Sequence, residues 1–123
     1  MADLTILVDS IELTANWTDA NPQTKAAVQS ALPLTVNASR WGDELYGQIA
    51  VDIPPENTTE VVPVGAVAYW PTGNALCIFW GPTPASVDSQ PRAASPVSVI
   101  AELESIDPLK EVTGDSTIRV FKA

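Results

Sequence analysis

Residues 64–84 constrain the fold more than any other part of the chain. Val64-Gly65-Ala66-Val67-Ala68-Tyr69-Trp70 and Ala75-Leu76-Cys77-Ile78-Phe79-Trp80 are two apolar runs of β-branched, aromatic and small residues. Pro71-Thr72-Gly73-Asn74 divides them as a turn, and Gly81-Pro82-Thr83-Pro84 stops the second run. This is the pattern of a β-hairpin with its start and stop marked. Val67 and Tyr69 alternate with Ala66, Ala68 and Trp70, and Cys77 and Phe79 alternate with Leu76, Ile78 and Trp80. Successive strand residues point to opposite faces, so both faces of the hairpin are apolar. Such a pair belongs deep in a sheet, covered on both sides.

The rest of the chain supplies partners for it. Leu4–Val8 and Ile11–Ala15 read as strands joined by Asp9-Ser10, the second wet on the face of Glu12 and Thr14. Asn21 or Thr18 caps a helix over about 21–32, Pro22 suits its first turn and Pro33 ends it. Residues 34–38 alternate like a strand, and 44–51 form another with Leu45, Gly47, Ile49 and Val51 on one face. Between them Ser39–Asp43 is a turn. Thr58–Val62 reads as an edge strand ended by Pro63, and Gly81–Pro96 as a long proline-rich loop of the kind that often carries function. Val97–Leu103 is a strand, a helical turn over about 106–112 has Asp107 as its cap, and Thr117–Phe121 is the last strand. The prediction is a mainly β chain: a closed barrel of about eight strands with one principal helix, in one domain spanning 1–123.

Composition excludes several classes of chemistry. The 123 residues contain no histidine, which removes imidazole acid–base catalysis, His-activated nucleophiles and His-dependent metal sites. One cysteine allows neither an intrachain disulfide nor a cysteine-rich zinc site. Cys77 lies in an apolar strand with no basic neighbour in sequence, so it reads as a small buried hydrophobe and not as a reactive thiol. No metal and no cofactor is expected. A net charge of −9 repels phosphate backbones and anionic lipid, so no nucleic-acid or membrane role is expected. The first residues show no basic n-region and the chain no apolar run of about 20 residues, so a cytoplasmic location is expected.

Trp41-Gly42-Asp43-Glu44-x-Tyr46, the long stretch from Gly65 through Tyr69-Trp70-Pro71 and Leu76-Cys77-Ile78-Phe79 to Pro84, and Ser95-Pro96-Val97-x-Val99-Ile100 carry a family likeness. In these segments, and in the order of its elements, the chain resembles a small prokaryotic family of cyclophilin-like domains of uncharacterised function. The likeness spans nearly the whole chain and implies a cyclophilin-like closed barrel. Ala66 stands where that family more often has an acid, and Gly47 where it often has an aromatic. True cyclophilins are prolyl isomerases whose groove uses the arginine of a Phe-His-Arg stretch and a Phe-x-x-Gln-Gly-Gly-Asp segment; neither motif occurs here.

The candidate site follows from what is left. Trp17, Trp41, Trp70 and Trp80 either fill the core and cap its ends or line a groove for an extended ligand. Trp41 and Trp70 lie at turns and strand ends, so the expected ligand-binding residues are Arg40, Trp41, Tyr46, Trp70 and Asn74, beside the Gly81–Pro96 loop. Arg40 is the one catalytic candidate, as a guanidinium near a prolyl nitrogen; its other reading is a local salt bridge with Asp43 or Glu44. Asp43 and Glu44 are adjacent on a strand and point apart, which speaks against a paired-carboxylate centre. Arg92 is expected to be solvated in the loop, and Arg119 to face outward and pair with an acid. The expectation is a non-catalytic binding module for an unknown peptide or small molecule, as monomer or homodimer. The alternatives are a weak prolyl isomerase and an oligomer-forming structural subunit.

Overall fold

A computed structural model describes residues 2–123; Met1, the first residue of the expected 1–123 domain, lies outside the described residues. The described residues include nine strands: β1 (Leu4–Val8), β2 (Ile11–Trp17), β3 (Leu34–Arg40), β4 (Glu44–Gln48), β5 (Thr59–Val61), β6 (Ala66–Trp70), β7 (Ala75–Phe79), β8 (Arg92–Leu103) and β9 (Ser116–Lys122). Their order is β2-β1-β9-β3-β4-β7-β6-β8-β5, and β2 also pairs with β8. That last pairing, with Ala15 opposite Leu103 and Trp17 opposite Ala101, turns eight strands into a ring and leaves β5 hung on β8. The expected count of about eight therefore matches the ring, and β5 is the free edge, as read for Thr58–Val62.

Alternation sorts the side chains. Leu4, Ile6, Val8, Leu45, Ile78 and Ile118 are each at most 1 % exposed and belong to the core inside the ring, joined by Val28 of the helix and by Leu109. A second cluster lies on the other face of the β6–β7 hairpin: Ala66, Ala68, Cys77 and Phe79, covered by Val62, Ala93, Val97 and Val99. The hairpin is thus buried on both faces, as its two apolar sets require. Among the described residues no helix is long and apolar enough to cross a membrane.

Several local expectations are corrected. Helix α1 (Pro22–Ala31) has Asn21 at its cap position, yet Asn21 makes no side-chain cap. Its buried amide instead donates to the Val99 carbonyl at 2.9 Å and accepts from the Asn57 backbone N–H at 2.7 Å. The free N–H groups of the first turn go to Glu56, which accepts from Gln23 and Thr24. A carboxylate from 32 residues downstream does the capping that a local residue was expected to do. The helical turn after β8 (Asp107–Glu111) has Ile106, not Asp107, at its cap, and the Asp107 N–H bonds to Ser105 Oγ.

The loop expected over 81–96 ends at Pro91, because β8 begins at Arg92 and runs through Pro96. Proline is tolerated there because the β5–β8 register shifts between the Thr59–Val97 and Val61–Arg92 pairs, and proline within sheets belongs at such irregularities. Arg92 is correspondingly no solvated loop residue; its guanidinium lies 2.7 Å from Glu60 Oε1. The strand expected over 44–51 stops at Gln48, although Ile49 and Val51 are still buried. Arg119 is exposed and, among the described residues, forms no ion pair.

Candidate functional site

On the outer face of the hairpin the ring leaves a cleft of about 230 Å3. The strand pairing explains its composition. In β4–β7, Glu44 lies opposite Phe79 and Tyr46 opposite Cys77, so Glu44, Tyr46 and Cys77 share the outer face while Leu45 and Gly47 face inward. Space exists because the neighbouring side chains are small: Ala93 and Ala94, with Val97, line the β8 side. Trp41, Tyr46 and Trp70 supply the walls, with Glu44 and Cys77 between them.

Each wall is held in place. Trp41 begins the turn between β3 and β4, where its N–H bonds to the Glu44 carbonyl at 2.9 Å. Gly42 takes φ +63, and a Cβ there would run into Thr83 and Pro84, so this turn needs glycine. Asp43 is clamped to the following loop by its N–H to the Pro82 carbonyl and by the Trp80 N–H to its own carbonyl, both 2.9 Å. The Trp70 indole N–H donates to Ser95 Oγ on β8. Its ring lies so close over Gly73 that a Cβ there would collide with it. Tyr46 meets Trp70 at 6.1 Å between ring centroids and 86° between planes, the edge-to-face arrangement that aromatic pairs favour.

Glu44 is the unusual member. It is 4 % exposed, and burial pushes its carboxyl up to about 7 from 4.5, a rise that a hydrogen bond from the Cys77 thiol opposes. Burial, and then the charge of Glu44 and its hydrogen bond, push the Cys77 thiol well above its ordinary range. Cys77 is therefore a protonated donor at neutral pH and no nucleophile. Chemically, the cleft offers apolar walls, one carboxyl that gains and loses a proton near neutrality, and one weak donor. Carboxyls displaced in this way by burial are characteristic of functional sites.

Of the residues singled out from sequence, Trp41, Tyr46 and Trp70 come together in this cleft. Arg40 lies elsewhere: its Nε donates to the Gly42 carbonyl at 2.8 Å, one terminal nitrogen to the Val112 carbonyl, and the other to Asp43 Oδ1 at 3.0 Å. Its guanidinium also sits 5.5 Å from the Trp80 ring centroid, against the main core. Asn74 is likewise turned away, donating to the Tyr69 hydroxyl at 2.9 Å and to Asp52 at 3.2 Å. Trp80 is a core residue and Trp17 packs against that core, with Lys25 Nζ 5.9 Å from its ring. Sequence reasoning missed Glu44 and treated Cys77 as packing alone. The alternation puts Glu44 on the face of Tyr46, but only the long-range pairing of β4 with β7 and the passage of β8 bury that face. Among the described residues no group of three or more Cys, Asp or Glu side chains is placed to hold a metal ion.

A model of the cyclophilin-like family matches residues 2–121. The chain belongs to the cyclophilin-like family. Its fold superposes on the solution structure of the hypothetical protein AF2241 from Archaeoglobus fulgidus with a TM-score of 0.80 at 37% identity, over 99% of this chain and 95% of that one. The cyclophilin-like fold recurs, at 17% identity and a TM-score of 0.73, in McbB, solved in complex with tryptophan. That match covers 96% of this chain and 44% of McbB. No curated protein matches the chain.

Proposed function

We propose that this cyclophilin-like chain is a binding module without catalytic activity, and that its site is the cleft between Trp41, Tyr46 and Trp70. The observation that carries the site is Glu44, a carboxyl buried among aromatic walls instead of facing water; the non-catalytic part rests on the missing cyclophilin motifs and on the engaged guanidinium of Arg40. A mostly apolar cleft with few convergent polar groups is the usual form of a small-molecule site. McbB, captured with tryptophan, supplies an example of a small molecule held by a protein that includes this fold.

Prolyl isomerisation draws less support. It calls for a guanidinium beside the prolyl nitrogen, and the guanidinium of Arg40 is engaged by Gly42, Val112 and Asp43. A protease-coupled assay on a Xaa-Pro peptide should give the uncatalysed rate with both wild type and Arg40→Ala.

Titration of a fragment and short-peptide library, followed by amide and indole N–H chemical shifts, tests the site. Saturable shifts should cluster at Trp41, Glu44, Tyr46, Trp70 and Val97. Shifts confined to other surfaces, or none at all, would refute the assignment.

A further inference from the structure

The cleft contains a carboxyl and no cation of its own. Among its lining residues Glu44 is the only Asp or Glu, and none is Lys or Arg. The arginines nearest in sequence or in fold are both engaged elsewhere: Arg40 by Asp43 and two backbone carbonyls, Arg92 by Glu60. A buried carboxylate without a countercharge is unfavourable and gains from any cation that reaches it. Around it stand three electron-rich rings, two of them set at 86° as a corner, and such rings attract organic cations. The net charge of −9 adds a long-range pull of the same sign.

We infer that the cleft takes a small organic cation, an alkyl- or arylammonium, with its nitrogen against Glu44 and its carbon substituents among Trp41, Tyr46 and Trp70. This rests on the cleft being the binding site. At about 230 Å3 the cleft is below the roughly 300–1,000 Å3 of drug-sized pockets, which suits a free small molecule and not a folded peptide segment. Burial holds a proton on Glu44 up to about pH 7, so a cation of fixed charge binds best once that proton has left. The other ionisable groups facing Glu44 are Cys77 from β7 and Tyr46 from β4; β6 and β8 present only Trp70, Ala93, Ala94 and Val97.

The test uses the full chain and two matched pairs in calorimetric titrations at pH 8. These are choline against 3,3-dimethylbutan-1-ol, and benzyltrimethylammonium against neopentylbenzene; each pair exchanges N⁺ for carbon at constant shape. In at least one pair the cation should bind about tenfold tighter or more than its neutral isostere. The ratio should fall towards one in Glu44→Gln. Cation affinity should drop about tenfold from pH 8 to pH 6 in wild type, following the ionised fraction of Glu44. Equal binding of cation and isostere in wild type would overturn the inference while leaving the cleft as the binding site. A lysine-containing peptide binding far more tightly than either free cation would also overturn it. So would no binding by either pair; if the fragment library too left the cleft unshifted, the site assignment would fall with it.

Discussion

The two faces of the β6–β7 hairpin are built from alternate residues of the same ten positions, yet they do different work. The inward face presents Val67, Tyr69, Leu76 and Ile78, all at most 1 % exposed and enclosed by the ring. Even its one polar atom is satisfied: the Tyr69 hydroxyl donates to the Val51 carbonyl at 2.7 Å. The outward face presents Ala66, Ala68 and Cys77, with Phe79 and the neighbouring Glu44, Tyr46 and Trp70. Small side chains there do not fill the space beneath β8, and a carboxyl is buried in the gap. One face is filled with branched and aromatic side chains and secures the ring; the other gives up packing volume and holds a proton near neutral pH.

The largest expected effect lies on the filled face. Ile78→Ala should lower unfolding stability by roughly 2–5 kcal/mol, as buried large-to-small substitutions do. Cys77→Ala, one residue earlier on the open face, should change it by about 1 kcal/mol or less, because an existing cleft already borders the site. Urea titrations of both variants compare the faces directly, and equal losses would erase the distinction.

Next in size is the pH dependence of Glu44. Its carboxyl keeps a proton up to about 7 in the folded chain and to about 4.5 when unfolded. Between these values the folded state binds more protons, so stability falls as pH rises. The contribution is fully present below pH 4.5 and lost above about pH 7, amounting to about 3 kcal/mol across the window. Glu44→Gln should lack this loss, so wild type should weaken relative to the variant between pH 5 and pH 8. A constant difference between the two would break the account of the open face.

Gly73→Ala acts through geometry alone. The added methyl must displace the Trp70 ring, so the Trp70 indole fluorescence and any cleft ligand affinity should change, with a stability loss of roughly 1–3 kcal/mol at most. Smallest in energy is the thiol. Buried and pushed up by its surroundings, Cys77 should react with a thiol reagent at pH 8 only as fast as the chain opens. Rapid labelling of the native chain would place the cleft floor in solvent.

Much of this was legible in the residues. Two apolar sets on the hairpin, turn signals at Pro71–Asn74 and strand periodicity elsewhere lead to a closed mainly β fold, and the expectation of Trp41, Tyr46 and Trp70 near one another corresponds to the cleft. What stayed hidden depends on distance in sequence. Glu56 caps a helix from 32 residues away. Pro96 enters a strand because the β5–β8 register shifts. The carboxyl of Glu44 is buried because β8 passes over it with small residues, which no local pattern around Glu44 records. From sequence, Asp43 and Glu44 read alike as partners for Arg40; Asp43 is the one bonded to it.

The central claim is that the open face holds a carboxyl that titrates near neutrality. Carbon-13 NMR of the Glu44 side-chain carboxyl, followed from pH 3 to pH 9 with Glu44→Gln to assign the resonance, measures this directly. A midpoint near 7 is the predicted result; a midpoint close to the ordinary value of about 4.3 would contradict it.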